Sequence, residues 1–435
     1  MTVTTDAGLR VDDAPLPPRA HQQLTLLTVV LVSVTFGQRL ALPLGSTSQV
    51  PLALPIGVLA VVYGLQRRLL VLDRDRSLLG LIAACACSVA ALVSLGSGVS
   101  ISLKSYIYLV LTYLPFAAAI AGDVGARVLD RLVKRFLSLM VPLAVITIGE
   151  LAVQPVGFKH PQPLEKLLPS KLLLTGYNTT YPFSYLSQWY KSNGIFFLEP
   201  SFCSQFLALA IIAHLWLGRR TMFAPILFGA AIVCTLSGTG FVLLLAGLIP
   251  LFVTGKLRVG PLIPGALVAV VVAIVTPVGK ILVSRVHEGR GGDSSTGERF
   301  FQPFSTLGRH WIDGGLSIFF GDGPGSSGRW LTEHYSNGGQ IVPLVPLKML
   351  FEYGMVATLP FLLFVLWSSI SGAHAPPITS GLVVAYLLLS GSLLQPAIVF
   401  PLWLFTGACV RSPQPLRLLS PSPRLRDLMR FRVSR

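Results

Sequence analysis

The chain has 435 residues, 52% of them hydrophobic and only 12% charged, with a mean hydropathy of +0.70. These values exclude an ordinary soluble protein, whose charged fraction is about 25%. The formal net charge of +16 does not indicate nucleic acid, because most basic residues lie in short segments between apolar runs, where they set membrane orientation.

Apolar runs of membrane-spanning length, about 20 residues, recur along the chain. Residues 1–22 are polar and lack a signal-peptide core, so a cytoplasmic tail is expected there. Spans are predicted over about 23–44, 49–66, 78–97, 104–122 and 136–155. Arg67, Arg68, Arg74 and Arg76 mark the loop after the second span as cytoplasmic. Arg127, Arg131, Lys134 and Arg135 do the same after the fourth. A polar loop, 156–198, leads to the sixth span, which opens at Glu199-Pro200-Ser201 and ends at Arg219-Arg220. The seventh and eighth spans pair around Ser237-Gly238-Thr239-Gly240. The ninth covers about 261–283, a second polar loop fills 284–340, and the tenth covers about 342–368. The stretch 379–410 is broken by Gln395-Pro396 and reads as one long span or two short ones. Seven arginines against one Asp follow Val410, which puts the C-terminus in the cytoplasm with the N-terminus. Both termini on one side require an even count. The expectation is an all-α polytopic membrane protein of twelve spans, or eleven if 379–410 is single. Its parts are the tail 1–22, the bundle 23–410 with two large extracytoplasmic loops, and the basic tail 411–435. The five cysteines (Cys85, Cys87, Cys203, Cys234, Cys409) sit in apolar runs without disulfide or metal spacing. Cys85 and Cys87, two apart on a helix, point to different faces.

Glu199 lies between Phe196-Phe197-Leu198 and an apolar segment. A carboxylate at a membrane boundary is costly unless it is used or paired. Pro200 suits the first position of a helix, which puts Glu199 at the N-cap with Ser201 behind it. It is either a capping acid or a site residue. Loop 284–340 holds Arg285, Arg290, Arg299, Arg309 and His334 among other charged residues. Arginine suits a diphosphate because its planar fork gives bidentate contacts and keeps its charge; a solvated basic loop is the alternative. Ser295-Thr296-Gly297-Glu298 reads as a capping box. Phe300, Phe304, Leu307 and Trp311 then repeat at helical spacing, with Pro303 dividing a turn from a helix. The Gly-rich run 321–328 lacks the Lys-Ser/Thr of a P-loop, leaving a tight turn whose N–H groups could meet an anion. His334 is a base or a solvated histidine. Loop 156–198 is rich in aromatics, including Tyr177, Tyr181, Trp189 and Tyr190, as sugar platforms or as an interfacial belt. Arg39 and Glu150, near span ends, are site residues or snorkelling groups.

FFLEPSF leading into a span, LSGTG between two spans, then GERF, GDGPGSSG and LKMLFEYG resemble, in that order, the polysaccharide polymerases of the Wzy type. These belong to the O-antigen ligase/polymerase superfamily. The resemblance covers roughly 190–360, and the span count and two outer loops agree along the whole chain. Many members carry Ser-Arg between the two spans, where this chain has Ser237-Gly238-Thr239. The His-Asn pair before the tenth span is matched loosely, by His334 and Asn337.

The resemblance implies an inverting glycosyltransferase without a cofactor, at the outer face of the bacterial inner membrane, and the sequence has no carboxylate cluster with metal spacing, so metal independence is expected. Its donor is a glycan on undecaprenyl diphosphate and its acceptor a single lipid-linked repeat unit. The product is exopolysaccharide or O-antigen. Arg299 with Arg285 or Arg290 is expected at the leaving diphosphate. Glu199 or His334 is expected to take the acceptor's proton. Arg309, Arg39, Ser201 and Tyr190 complete the expected substrate contacts. Implied partners are the bilayer and a chain-length regulator and flippase of the same pathway, and no nucleic acid. Two rival readings are an O-antigen ligase, transferring to lipid A-core, and a flippase of lipid-linked sugars. The latter should show internal repeats and mid-span polar residues, which this sequence lacks.

Overall fold

The computed structural model describes residues 15–44, 48–158, 162–183, 188–219, 221–255, 302–335, 342–388, 391 and 393–410. Helices make up most of it. Leaving out one-turn pieces, they are α1 (Pro18–Thr35), α2 (Ala53–Gln66), α3 (Arg74–Gly96), α4 (Leu103–Tyr113), α5 (Gly125–Ala152) and α6 (Pro200–Trp216). Then come α7 (Phe223–Thr235), α8 (Gly238–Val253), α9 (Ser326–His334), α10 (Val345–Ile370), α11 (Pro376–Leu388) and α12 (Pro396–Leu402). Two small antiparallel pairs complete the regular structure. β1 (Ala41–Leu44) pairs with β2 (Ser48–Pro51), Leu42 opposite Val50. β3 (Leu70–Leu72) pairs with β4 (Ala118–Ile120), Val71 opposite Ala119. Among the described residues, three helices are long and apolar enough to cross a membrane: Arg74–Gly96, Gly125–Val156 and Val345–Ile370. Other apolar helices, α6 among them, are shorter.

Several boundaries differ from hydropathy, each for a local reason. The first predicted span, 23–44, is helical only to Thr35. The chain then turns, Leu40 N–H donating to the Gly37 carbonyl, and Ala41–Leu44 leaves as a strand. Hydropathy cannot separate an apolar strand from the end of an apolar helix. The fourth helix stops at Tyr113, and Leu114–Ala117 tightens into a 3-10 turn containing Pro115, whose ring removes a helical donor. Residues 379–410 form two short helices. Gln395 caps α12 and Pro396 takes its first position. α10 is kinked at Gly354, whose φ is 65°. The predicted ninth span, 261–283, the capping box and Phe300 lie outside the described residues.

The core centres on α6, buried at every residue from Pro200 to His214. A helix apolar on all sides is covered on all sides, and α5, α7, α8 and α11 surround it. α8 comes nearest, through two glycines. A Cβ at Gly240 would lie 2.6 Å from the Ser204 carbonyl oxygen, and one at Gly247 2.2 Å from Ile212. Small residues allow such backbone approach where dispersion, not water exclusion, drives helix association. All five cysteines are free thiols, with Cys85 exposed and Cys87 buried, as their spacing requires.

Turns and loops gather at two ends of the bundle. At one, Gln23 Nε2 donates to the Leu69 and Ala121 carbonyls at 2.8 and 3.0 Å. There the buried Arg76 donates to Gly407 O at 2.5 Å and Ser371 O at 3.1 Å, and Trp403 Nε1 to Ala118 O at 3.0 Å. The other end carries the loop before α6, the α7–α8 turn and the segment before α10.

Candidate functional site

The site is built on the start of α6. Glu199 is its N-cap, in extended backbone geometry, and Pro200 is the first helical residue. The carboxylate makes no capping hydrogen bond to the helix backbone. It accepts from Ser201 Oγ, in the first turn of the helix, at 3.0 Å and from Asn178 N–H at 3.4 Å. It is half-buried. Tyr177 lies beside it; burial, helped by the Glu199 charge, pushes that phenol up to about 12. The Tyr177 hydroxyl stays protonated at neutral pH and accepts from Gln395 Nε2 at 2.5 Å.

The α7–α8 turn meets α6 at the same place. Leu236 takes a left-handed conformation, φ 46°, to close the turn. Thr239 Oγ1 then lies 3.1 Å from Ser204 Oγ and donates to the Ser201 carbonyl at 3.2 Å. The two sequence motifs, Glu199-Pro200-Ser201 and Ser237-Gly238-Thr239, are one structural unit. The turn carries Ser237-Gly238-Thr239 where the resemblance implies Ser-Arg, and the Thr239 hydroxyl ties the two helices together.

Beneath this unit the backbone is strained. Gly194 and Ile195 both have φ of 65°, a conformation that a β-branched residue rarely adopts. The surroundings impose it. Glu150, near the end of α5 and only 4% exposed, accepts from the N–H groups of Asn193 at 3.1 Å and Gly194 at 2.9 Å. Asn193 Oδ1 accepts from Ile195 N–H at 3.0 Å, and Arg39 donates to the Ile195 carbonyl at 3.1 Å. The loop is thus gripped by the Glu150 carboxyl on its donors and the Arg39 guanidinium on its acceptor. Arg39 also bonds Gln162 Oε1 and pairs with Glu165 at 2.6 Å. One turn beyond Glu150, Gln154 exchanges two hydrogen bonds, each of 2.9 Å, with the main chain of Tyr190.

The expected site residues fall into three groups. Glu199, Ser201, Arg39 and Tyr190 share this end. Arg39 is buried and turned onto the protein, and Tyr190 docks by its main chain. Arg309 and His334 belong to a second cluster. His334 is exposed, stacks on Trp330 at 4.6 Å and has Nδ1 2.9 Å from the Trp330 carbonyl oxygen. Arg309 is exposed on a one-turn helix, Arg309–Asp313, beside His310. Arg285, Arg290 and Arg299 lie outside the described residues.

In the second cluster, His310 Nε2 and Asp322 Oδ2 are 3.0 Å apart. Leu307, Leu331, Leu347 and Phe351 form a satellite core beneath it. Glu352, 1% exposed, accepts from Ser327 Oγ at 2.5 Å and lies 3.8 Å from Lys348. Of the Phe304–Leu307–Trp311 stripe, Leu307 is buried and Phe304 exposed. The Gly-rich turn docks by backbone: the Pro324 carbonyl accepts from Ser102 N–H, and Asp322 N–H donates to Phe351 O. Among the described residues, no three His, Cys, Asp or Glu side chains gather as a metal centre requires.

Sequence reasoning left out Gln154, Gln162, Asn193, Thr239 and Gln395 as partners. Glu150 and Gln154 did carry a signal: two polar residues four apart share one face of an apolar helix. No protein-family model matches the chain, and no curated protein matches it.

Proposed function

We propose that the chain is a twelve-span membrane glycosyltransferase that polymerises lipid-linked oligosaccharide repeat units, in the manner of the Wzy-type polymerases. Three described helices are long and apolar enough to span, and the reading takes the remaining spans from the shorter apolar helices and the apolar run 261–283, with both termini on the cytoplasmic side. The observation that carries the reading is the attitude of Glu199. A carboxylate at the mouth of a helix buried over fifteen successive residues makes no hydrogen bond to that helix's N–H groups, and accepts instead from the Ser201 hydroxyl and from the Asn178 N–H of a polar loop. A purely structural N-cap does the reverse.

In this reaction the acceptor's sugar hydroxyl attacks the donor's anomeric carbon from the face opposite the diphosphate. A new glycosidic C–O bond forms, the bond to the diphosphate oxygen breaks, and undecaprenyl diphosphate leaves. Glu199 or His334 takes the hydroxyl proton. Arg299 and Arg285 or Arg290 stabilise the departing charge in place of a metal ion. The strained loop held by Glu150 and Arg39 fixes Glu199 relative to the bundle.

The test is a chromosomal deletion complemented with wild type, Glu199→Gln or Arg299→Ala, followed by extraction of lipid-linked and surface glycans. The reading expects single repeat units on the lipid, with polymer restored by wild type alone. Polymer on the lipid that fails to reach lipid A-core makes the protein a ligase. Repeat units confined to the cytoplasmic leaflet make it a flippase.

A further inference from the structure

A groove of about 440 Å³ runs along one side of α1, bordered by α2 and α5. Its lining includes Val29, Val32, Phe36 and Ile56, with Ser33 among them, and its one charged residue, Arg135, stands with Thr25 and Thr28 at one end. Arg135 donates to Thr28 Oγ1 at 2.7 Å, while that hydroxyl gives its own proton to the Leu24 carbonyl at 2.6 Å. The contact to Thr28 is the guanidinium's one hydrogen bond among the described residues, so most of its donor fork is left for an anion. Arg127, Arg131 and Arg135 succeed one another at intervals of four along α5, which puts them on one face leading into the groove.

We propose that this groove binds one anionic phospholipid, with its phosphate at Arg135 and an acyl chain along α1. The proposal rests on the membrane placement given above but not on the transfer reaction. Charge selects the ligand: a phosphate answers the unfilled fork, and basic residues at a membrane surface attract anionic headgroups. Depth agrees. From Thr28 to Phe36 the helix rises ~12 Å, close to half of a hydrocarbon core of ~30 Å, the depth of one leaflet. A polyprenyl tail descending from the Glu199 end fits less well, because it would lay bare hydrocarbon on the Arg135 guanidinium.

The experiment is native mass spectrometry of the detergent-purified full chain, wild type, Arg135→Gln and Val29→Trp, titrated separately with phosphatidylglycerol, phosphatidylcholine and undecaprenyl phosphate. Val29 lines the groove and is 52% exposed, so the tryptophan fills the groove while leaving the fold and Arg135 in place. Wild type should retain one phosphatidylglycerol and bind phosphatidylcholine at least tenfold more weakly. Both variants should lose that preference while keeping the wild-type melting temperature. If Arg135→Gln does not fold, Val29→Trp alone decides. Unchanged phosphatidylglycerol binding by the variants, or stronger binding of undecaprenyl phosphate, overturns the site. Release of the chain from membranes by alkaline carbonate overturns instead the membrane placement beneath it.

Discussion

The two ends of the bundle bury polar groups in opposite ways. At the Arg76 end, side-chain donors meet main-chain carbonyls: Gln23 on Leu69 and Ala121, Arg76 on Gly407 and Ser371, Trp403 on Ala118. Such acceptors are fixed by the helices and strands that carry them, and the result is a closed seam. At the Glu199 end, carboxylates meet main-chain donors of a loop. Glu150 holds the N–H groups of Asn193 and Gly194, and the half-buried Glu199 receives that of Asn178. There the backbone is strained at Ile195 and a titratable group reaches the surface. Strain that persists needs surroundings that impose it, and it marks places where geometry matters more than stability. One end holds the helices together; the other holds a carboxylate in place.

The largest break in that contrast comes from Arg76→Ala. It strips donors from the buried Gly407 carbonyl and the half-buried Ser371 carbonyl; an unsatisfied buried acceptor costs about 1–3 kcal/mol, so a loss of about 2–4 kcal/mol is expected. Thermal unfolding in detergent should show it as a large fall in Tm, and surviving folded protein should keep its activity per molecule. Next is Glu150→Gln. It replaces the carboxyl oxygen that accepts from two N–H groups by an amide that can put its NH2 in that place, and about 1–3 kcal/mol should be lost. Here activity per folded molecule should fall as well, because the loop that sets Glu199 loosens. An unchanged specific activity would show that the loop only fills space. The smallest effect is at Ile195→Gly. Relief of strain worth about 1–3 kcal/mol is partly offset by the roughly 0.5–1 kcal/mol of chain entropy that glycine adds. The variant should melt at or slightly above the wild-type temperature yet transfer more slowly. A faster enzyme would contradict a positioning role for the strained turn.

Much of the helical framework can be read from the chain itself. Pro200 announces the start of α6, and Gln395-Pro396 the division of 379–410, because proline favours the first turn and lacks the donor an interior position needs. The early end of α1 is not legible, since Leu40, Ala41, Leu42 and Leu44 look the same to a hydropathy window whether helical or extended. At the site, Glu199 stands out as a charge beside an apolar run. Its environment does not, because Asn178 lies in a loop and Gln395 belongs to a distant helix. Arg39 reads as a free cation in the sequence; only the fold reveals Glu165 and Gln162 across the loop. The His310–Asp322 pair is equally hidden, its register set by a turn through Gly315 and Gly321 with positive φ at both.

The central claim is that Glu199 serves transfer and not helix capping. The direct measurement uses purified wild type and Glu199→Gln in lipid nanodiscs with undecaprenyl-diphosphate-linked repeat units and EDTA, followed by resolution of the lipid-linked products. Wild type should build a ladder of polymer. Glu199→Gln should fall by about 10²–10⁴-fold, the scale of a lost acid–base group, with its melting temperature unchanged. A Glu199→Gln ladder equal to that of wild type would contradict the account.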